Sequence, residues 1–237
     1  TFSANSPTSG TTPSAITGYG AITLPSVGDL IRNGYSFGGW NTNSAGTGTN
    51  YAASSSYTPA ANVTLYANWS LLPVYTITYN ANSASSGTVP TSQSGNAGSY
   101  TLAANTGSLD RTGYVFDGWN TAANGSGSNL ATGSSYSLSA NVTLYAKWTA
   151  VNYTLTYNAN SATGGTVPTD STNYNIGQNA TVLGNIGALV RTGYTFAGWT
   201  LAANGSGTVY SSGQALAFSS ANQTLYAKWN ANTYAIS

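Results

Sequence analysis

The sequence predicts a mainly β chain built as a tandem array of three small modules of about 80 residues, and three observations carry that reading. The nonapeptide Arg32-Asn-Gly-Tyr-Ser-Phe-Gly-Gly-Trp40 returns as Arg111-Thr-Gly-Tyr-Val-Phe-Asp-Gly-Trp119 and as Arg191-Thr-Gly-Tyr-Thr-Phe-Ala-Gly-Trp199, with Trp-to-Trp intervals of 79 and 80 residues. A second signature follows each copy at near-constant distance: Leu65-Tyr-Ala-Asn-Trp69, Leu144-Tyr-Ala-Lys-Trp148 and Leu225-Tyr-Ala-Lys-Trp229. Self-similarity at long period outranks any local pattern. Between the signatures run short segments of period-two alternation, the mark of strands with one buried face.

Each module opens on such a strand. Tyr153-Thr-Leu-Thr-Tyr157 and Tyr75-Thr-Ile-Thr-Tyr79 alternate apolar and hydroxyl residues, and both run on into Asn-Ala-Asn. In the first module Thr1-Phe-Ser-Ala-Asn5 aligns with the second half of that strand. Turns containing Gly and Pro, Gly87-Thr-Val-Pro90 and Gly164-Gly-Thr-Val-Pro168, end it, because Pro lacks an N–H for the ladder and Gly relaxes the backbone. A second short strand is expected at 22–24, 100–102 and 181–183. The segments 27–33, 106–112 and 186–192 are too short for more than one helical turn. In the nonapeptide, Tyr194 and Phe196 share a face, and Trp199 joins them only if Gly198 permits a bulge. The loops Ala123-Asn-Gly-Ser-Gly127 and Ala203-Asn-Gly-Ser-Gly207 carry a tight-turn signal and join neighbouring strands. The closing strand puts Leu144, Ala146 and Trp148 on the core face and Thr143, Tyr145 and Lys147 on the other.

Composition narrows the function classes. Nine residues are charged, Asp29, Asp110, Asp117, Asp170, Arg32, Arg111, Arg191, Lys147 and Lys228, and there is no Glu, His, Cys or Met. Five scattered cations cannot form the basic patch that nucleic acid or an anionic membrane surface requires. No apolar run approaches the roughly 20 residues that span a bilayer. Ser, Thr, Asn and Gly stand where a cytosolic protein carries Lys and Glu, a composition typical of extracellular surfaces.

The two signatures, preceded by the Tyr-x-hydroxyl-Tyr-Asn-Ala-Asn strand, resemble the Listeria–Bacteroides repeat family, the type represented by the B repeat of internalin B. The resemblance covers essentially the whole chain. It implies β-grasp-like modules strung together in secreted, surface-attached bacterial proteins, where they serve as stalks, adhesive segments or weak partner-binding units, and it supplies no catalytic residues. This chain differs from that pattern in being poor in Asp, Glu and Lys and rich in Ala, Ser and Asn.

Catalysis, cofactors and metals find little to work with. Without His, Cys or Glu, a nucleophile would depend on one of two lysines; Lys147 and Lys228 occupy equivalent surface positions, held by Asn68 in the first module. Zinc needs Cys or His and calcium several carboxylates together, and the Asn-Gly-Ser-Gly loops contain no Asp. The expectation is no enzyme, no cofactor and no metal. Six Trp and eighteen Tyr invite a sugar-stacking reading, but the Trp recur at matched positions at the ends of Leu- and Ala-bearing faces. Trp40, Trp69, Trp119, Trp148, Trp199 and Trp229, with Phe37, Phe116 and Phe196, are therefore read as core, leaving Tyr66, Tyr145 and Tyr226 outward for surface contact. Arg32, Arg111 and Arg191 are the one charge repeated at the same place in every module and are candidates for a cation–π pair with a neighbouring ring. Eight Asn-x-Ser/Thr sequons, among them Asn62, Asn141 and Asn222, are read as turn asparagines.

These readings give modules at 1–71, with a truncated first strand, 72–150 and 151–231, and the first strand of a following module at 232–237. The expected function is a non-enzymatic extracellular repeat protein, part of a bacterial surface stalk or head-to-tail filament; the alternative is an adhesin whose repeats bind a glycan or a surface protein. The expected partners are other copies or adjacent repeats. Tyr234, Ala235 and Ile236 carry the pattern that would precede Thr1 and Phe2, so these five residues form the candidate inter-subunit strand, supplied either within a longer covalent array or by another copy.

Overall fold

In the computed structural model, which describes residues 1–236, all regular structure is β, and no helix is present among the described residues. None is therefore long and apolar enough to cross a membrane. The expectation of an all-β, threefold-repeated chain is met at that level. By its internal contacts the chain divides into two compact units, one made of 1–78, 92–101 and 135–142, the other of 79–91, 102–134 and the chain from Thr143 onward.

The first unit contains β1 (Phe2–Ser3), β2 (Ile22–Thr23), β3 (Tyr35–Asn41), β4 (Asn50–Tyr51), β5 (Ser56–Tyr57) and β6 (Leu65–Leu71). β6 lies at the centre, parallel to β1 with Phe2 opposite Leu65, and antiparallel to β3, which pairs outward with β4. β2 and β5 form a separate antiparallel pair. Leu24, Leu30, Trp40, Leu65 and Ala67 fill the core, with Phe2, Ile22, Phe37, Tyr57 and Trp69 packed around them. The same unit holds the antiparallel pair of β7 (Val74–Asn80) and β8 (Gln93–Asn96). The first-strand alternation is visible there: Ile77 is buried and Thr76 bonds outward to Ser94. β9 (Gly98–Thr101) belongs here too, and pairs with Ser135–Leu138, the later β12.

In the second unit β10 (Tyr114–Asn120) pairs with β11 (Asn129–Leu130), and, beyond β12, with β13 (Val142–Ala150) along its 145–150 stretch. The last repeat contributes β14 (Leu155–Asn158), β15 (Asn179–Thr181), β16 (Tyr194–Thr200), β17 (Ala215–Ala217) and β18 (Gln223–Ala231). β14 runs parallel to β18, and β16 runs antiparallel to it. Leu155, Tyr157, Ala180, Val182, Leu189, Trp199, Leu216, Phe218, Leu225 and Ala227 form one core.

The bulge expected at the glycine before Trp is present in all three copies, where the register shifts between Phe37 and Trp40, Phe116 and Trp119, and Phe196 and Gly198. Gly198 adopts φ +119, and a Cβ there would sit 2.7 Å from Val209 Cγ1. The extra residue turns Trp onto the Phe face, and the rings meet edge to face at 5.2–5.3 Å. The segments read as at most one helical turn are turns, broken by positive φ at Gly28, Ser108 and Ala188.

The structure places the tail differently from the expected strand. Residues 232–236 form no strand, and Tyr234 and Ile236 are 78% and 102% exposed. Strand geometry needs a ladder partner, and this segment pairs with none among the described residues; the Asn232 N–H donates to the Gly193 carbonyl and its side-chain oxygen accepts from the Thr195 hydroxyl. Ser237 lies outside the described residues.

Candidate functional site

The residues singled out in the sequence form an aromatic framework written three times, and an open groove lies in the first repeat. Trp40, Trp119 and Trp199 have no exposed surface, while Trp69, Trp148 and Trp229 are half-buried, as are Phe37, Phe116 and Phe196. Each Phe is wedged between its two Trp, at 5.2–5.3 Å from the first and 5.7 Å from the second, in the edge-to-face geometry that ring quadrupoles favour.

All six indole N–H groups donate to backbone carbonyls. The buried set reaches Pro25, Ala103 and Leu183 at 2.8–2.9 Å. The half-buried set reaches Ala4 and Asn82 at 2.9 Å and Ala159 at 3.3 Å. A buried Trp needs such a partner, and finding it in the local backbone ties each ring to the chain that surrounds it.

Tyr79 and Tyr157 extend this pattern. Each packs on the buried Trp of its repeat, at 4.6 and 4.8 Å, and its hydroxyl accepts the N–H of Ala103 or Leu183, the residues whose carbonyls take the indole. Burial pushes both phenols upward, against the opposing pull of those N–H groups. In the first repeat the ring is Phe2, 4.7 Å from Trp40, and the residue opposite is Pro25. Proline has no N–H to offer, so a hydroxyl there would have nothing to accept. The hydroxyl and its donor are absent together.

The repeated arginines pair with the expected rings. Arg32, Arg111 and Arg191 lie 3.9–4.0 Å over Tyr35, Tyr114 and Tyr194. The turn between them closes from the Tyr N–H to the Arg carbonyl at 2.9–3.0 Å, with glycine at φ near +80, bringing residues three apart face to face.

Asparagines do the work that sequence reading did not assign. Asn5, Asn82 and Asn160, all at φ near +50, each donate to two carbonyls: Ser44 and Ala67, Ala123 and Ala146, Ala203 and Ala227. They pin the opening strand to the closing strand and to the Asn-Gly loop. Their recurrence in Asn-Ala-Asn was the available signal. Asn41 and Asn120 are buried and organise the following loop by bonding both ways to it; Thr200, at their place in the third repeat, donates to the Ala202 carbonyl. Lys147 pairs with Asp117 at 2.9 Å, and that hydrogen bond, with one from Thr149, lowers the Asp117 carboxyl. Tyr66, Tyr145 and Tyr226 are half-buried rather than fully outward.

A groove of about 810 Å³ opens beside β6 in the first repeat, walled by Ile16, Tyr19, Ile22, Tyr57 and Val63, with Asn62 at its edge. The equivalent space in the third repeat is filled by residues 153–155. Leu155 is buried opposite Gln223, the Thr154 N–H donates to Asn222 Oδ1 at 2.9 Å, and the Gln223 N–H donates to the Thr154 carbonyl at 3.0 Å. In the second repeat the Thr76 N–H bonds Asn141 in the same way at 2.8 Å.

The family model described as the Listeria-Bacteroides repeat domain matches residues 1–68, 75–147 and 153–228. The chain belongs to this family. Its three repeat domains each carry the Trp pair, the Arg–Tyr turn and the Asn clasp described above. Two proteins of Evansella cellulosilytica are similar to it. One, named "Putative Gly-rich membrane protein", is 37% identical over 169 residues, 69% of this chain and 19% of that protein. The other, named "Putative membrane protein", is 38% identical over 101 residues, 42% of this chain and 15% of that protein. The aligned region thus spans less than a fifth of either relative. No solved structure gives a significant match. Among the described residues of these repeat domains, no three His, Cys, Asp or Glu side chains come together.

Proposed function

We propose that the chain is a non-enzymatic structural array, an extracellular segment of a bacterial surface-associated protein in which repeat domains follow one another head to tail. The observation that carries this reading is the threefold commitment of the reactive-looking residues to their own fold. All six Trp N–H groups bond local backbone, three of the six rings are fully buried, and every Arg stacks on its own turn Tyr. Much of what remains outside is hydroxyl, amide and glycine surface with few charged groups. The names of the two relatives support placement at the cell envelope. Repetition suits a spacer, since each added module lengthens the chain by the same step.

Two measurements test this reading. Antibody against the repeats is expected to label unpermeabilised cells that produce the protein; labelling only after permeabilisation contradicts it. A glycan array probed with the intact chain is expected to show no saturable binding. Saturable binding lost in Tyr145→Ala at unchanged stability would assign the repeats an adhesive role instead.

A further inference from the structure

We infer that consecutive repeats meet at a built joint, in which the Arg–Tyr turn of one repeat and a loop of the next hold the joining peptide between them. The side chain at position 97 or 176 sets the stiffness of that joint, making the second and third repeats a stiff pair and leaving a hinge between the first and second. The inference deepens the structural-array reading and rests on it for the use of the joint.

The joining peptide is held from both sides. Three residues after the closing Trp, the N–H groups of Leu72 and Val151 donate to the carbonyls of Gly34 and Gly113, each at 2.8 Å. Those glycines belong to the Arg–Tyr turns, so the stacked turn presents an anchor to the chain that leaves its own repeat. From the following repeat an asparagine reaches back, placed just before β9 or β15. Asn96 Nδ2 donates to the Leu72 carbonyl at 3.3 Å and the Pro73 carbonyl at 3.1 Å. Asn175 Nδ2 donates to the Val151 carbonyl and to Asn152 Oδ1, both at 3.0 Å. Leu72 and Val151 thus have their N–H bound by the repeat before and their carbonyl by the repeat after. Each joint lies wholly within one of the two compact units.

Beyond this shared clamp the joints differ. Ile176, next to Asn175, is half-buried against Gly113: a Cβ at that glycine would stand 3.1 Å from Ile176 Cβ and 3.3 Å from its Cδ1. An apolar side chain of the third repeat therefore rests on the turn of the second. The residue next to Asn96 is Ala97, which is exposed, and a Cβ at Gly34 would meet nothing within 4 Å among the described residues. The two glycines hold nearly the same φ, +78 and +81, so the turns are alike and the partner is what changes. Pro73 also stands where Asn152 supplies a side-chain acceptor, and the Asn96 amide divides between two backbone carbonyls at longer distances. Small, polar contacts between domains leave relative motion as the default, and apolar contact restrains it. Hinges are a few residues at element ends that absorb such motion. Stiffness is thereby set joint by joint, through one side chain, with the repeats themselves unaltered.

The experiment uses the 237-residue chain, which has no cysteine, so spin labels go where they are wanted. Ser44, Ala123 and Ala203 are exposed and occupy matched positions in the three Asn-clasped loops. Labelled after Ser44→Cys with Ala123→Cys, or Ala123→Cys with Ala203→Cys, they report the distance distribution across each joint by double electron–electron resonance. The distribution between 123 and 203 should be the narrower. Ile176→Ala should broaden it toward that between 44 and 123, and Ala97→Ile should narrow the latter, with the melting temperatures of the labelled chains showing that the repeats stay folded. Gly113→Ala, which presses a Cβ onto Ile176, should shift the distance across its joint by more than Gly34→Ala shifts the other. Equal widths at the two joints, a distribution that Ile176→Ala leaves unchanged, or equal shifts for the two glycine variants would each overturn the inference. None of these results touches the array reading, which stands or falls on cell labelling and glycan binding.

Discussion

Replacing Trp199 by Ala removes the largest fully buried side chain of the third repeat. The ring packs at 4.8 Å against Tyr157 and 5.2 Å against Phe196, and its N–H holds the Leu183 carbonyl at 2.9 Å. Deleting a buried aromatic costs about 3–5 kcal/mol through lost transfer energy and the cavity left behind. Two edge contacts and an abandoned acceptor place this site at the top of that range. A domain of this size holds on the order of 5 kcal/mol, so the repeat should be left near its unfolding midpoint at 25 °C. Trp229→Ala provides the comparison: the ring is half-buried and its hydrogen bond is long at 3.3 Å, so the loss should be about 2 kcal/mol. Urea unfolding followed by NMR cross-peaks assigned to each repeat separates the third repeat from the others. Equal losses for the two variants, or a Trp199→Ala chain with a wild-type midpoint, would refute the assignment of Trp199 to the core.

Three further outcomes follow from single contacts. Tyr157→Phe leaves the Leu183 N–H without its acceptor and should cost about 1–3 kcal/mol by urea unfolding, whereas Phe2→Tyr should gain nothing, since Pro25 has no N–H to donate. Gly198→Ala forces an L residue to φ +119 with its Cβ 2.7 Å from Val209 Cγ1, and should lower stability by more than about 1 kcal/mol and blur the bulge register. Stability should be flat between about pH 5 and 9, because no His titrates. Asp117 and Asp170 have lowered carboxyls: for Asp117 the leading cause is the Lys147 hydrogen bond, and for Asp170 burial pushes up but bonds from Thr172 and Tyr174 outweigh it. Their contribution is present above the unfolded carboxylate value near 4 and is lost as pH falls below it. Tyr79, Tyr157 and Tyr174 are raised, mainly by burial, so their contribution is present below about pH 10 and fades above it. A thermal midpoint that moves sharply near pH 6 contradicts this balance.

Much of the fold was legible because the chain states it three times. The Trp intervals fix the repeat, Gly before Trp announces the bulge, and an Arg three residues before a Tyr across a glycine turn announces the cation–π pair. The parallel pairing of first and last strands was not legible, because period-two alternation says which face is buried but not which neighbour is bonded. The sequence also grouped all six Trp alike, while the structure separates a buried set from a half-buried one. Trp40 follows the bulge into the core; Trp69 lies beyond Ala67, where the closing strand passes over Ala4 at the core's edge. The Asn clasp was visible as recurrence but not as function, since its two acceptors come from segments about 40 and 65 residues away. The exchange of Tyr and its N–H donor for Phe2 and Pro25 required both partners to be seen together. So did the Lys147–Asp117 pair, which forms between paired strands whose register is offset by the bulge.

The central claim is that the repeated aromatics are committed to the fold rather than offered to a ligand, and the six indole N–H groups report on it directly. Hydrogen exchange of the six Trp Nε1–H signals in the intact chain should show all six protected, with Trp40, Trp119 and Trp199 slowest and Trp229, whose bond is longest, fastest. Exchange of the set at the solvent rate, or indole shifts on adding glycan at an unchanged melting temperature, would contradict the account.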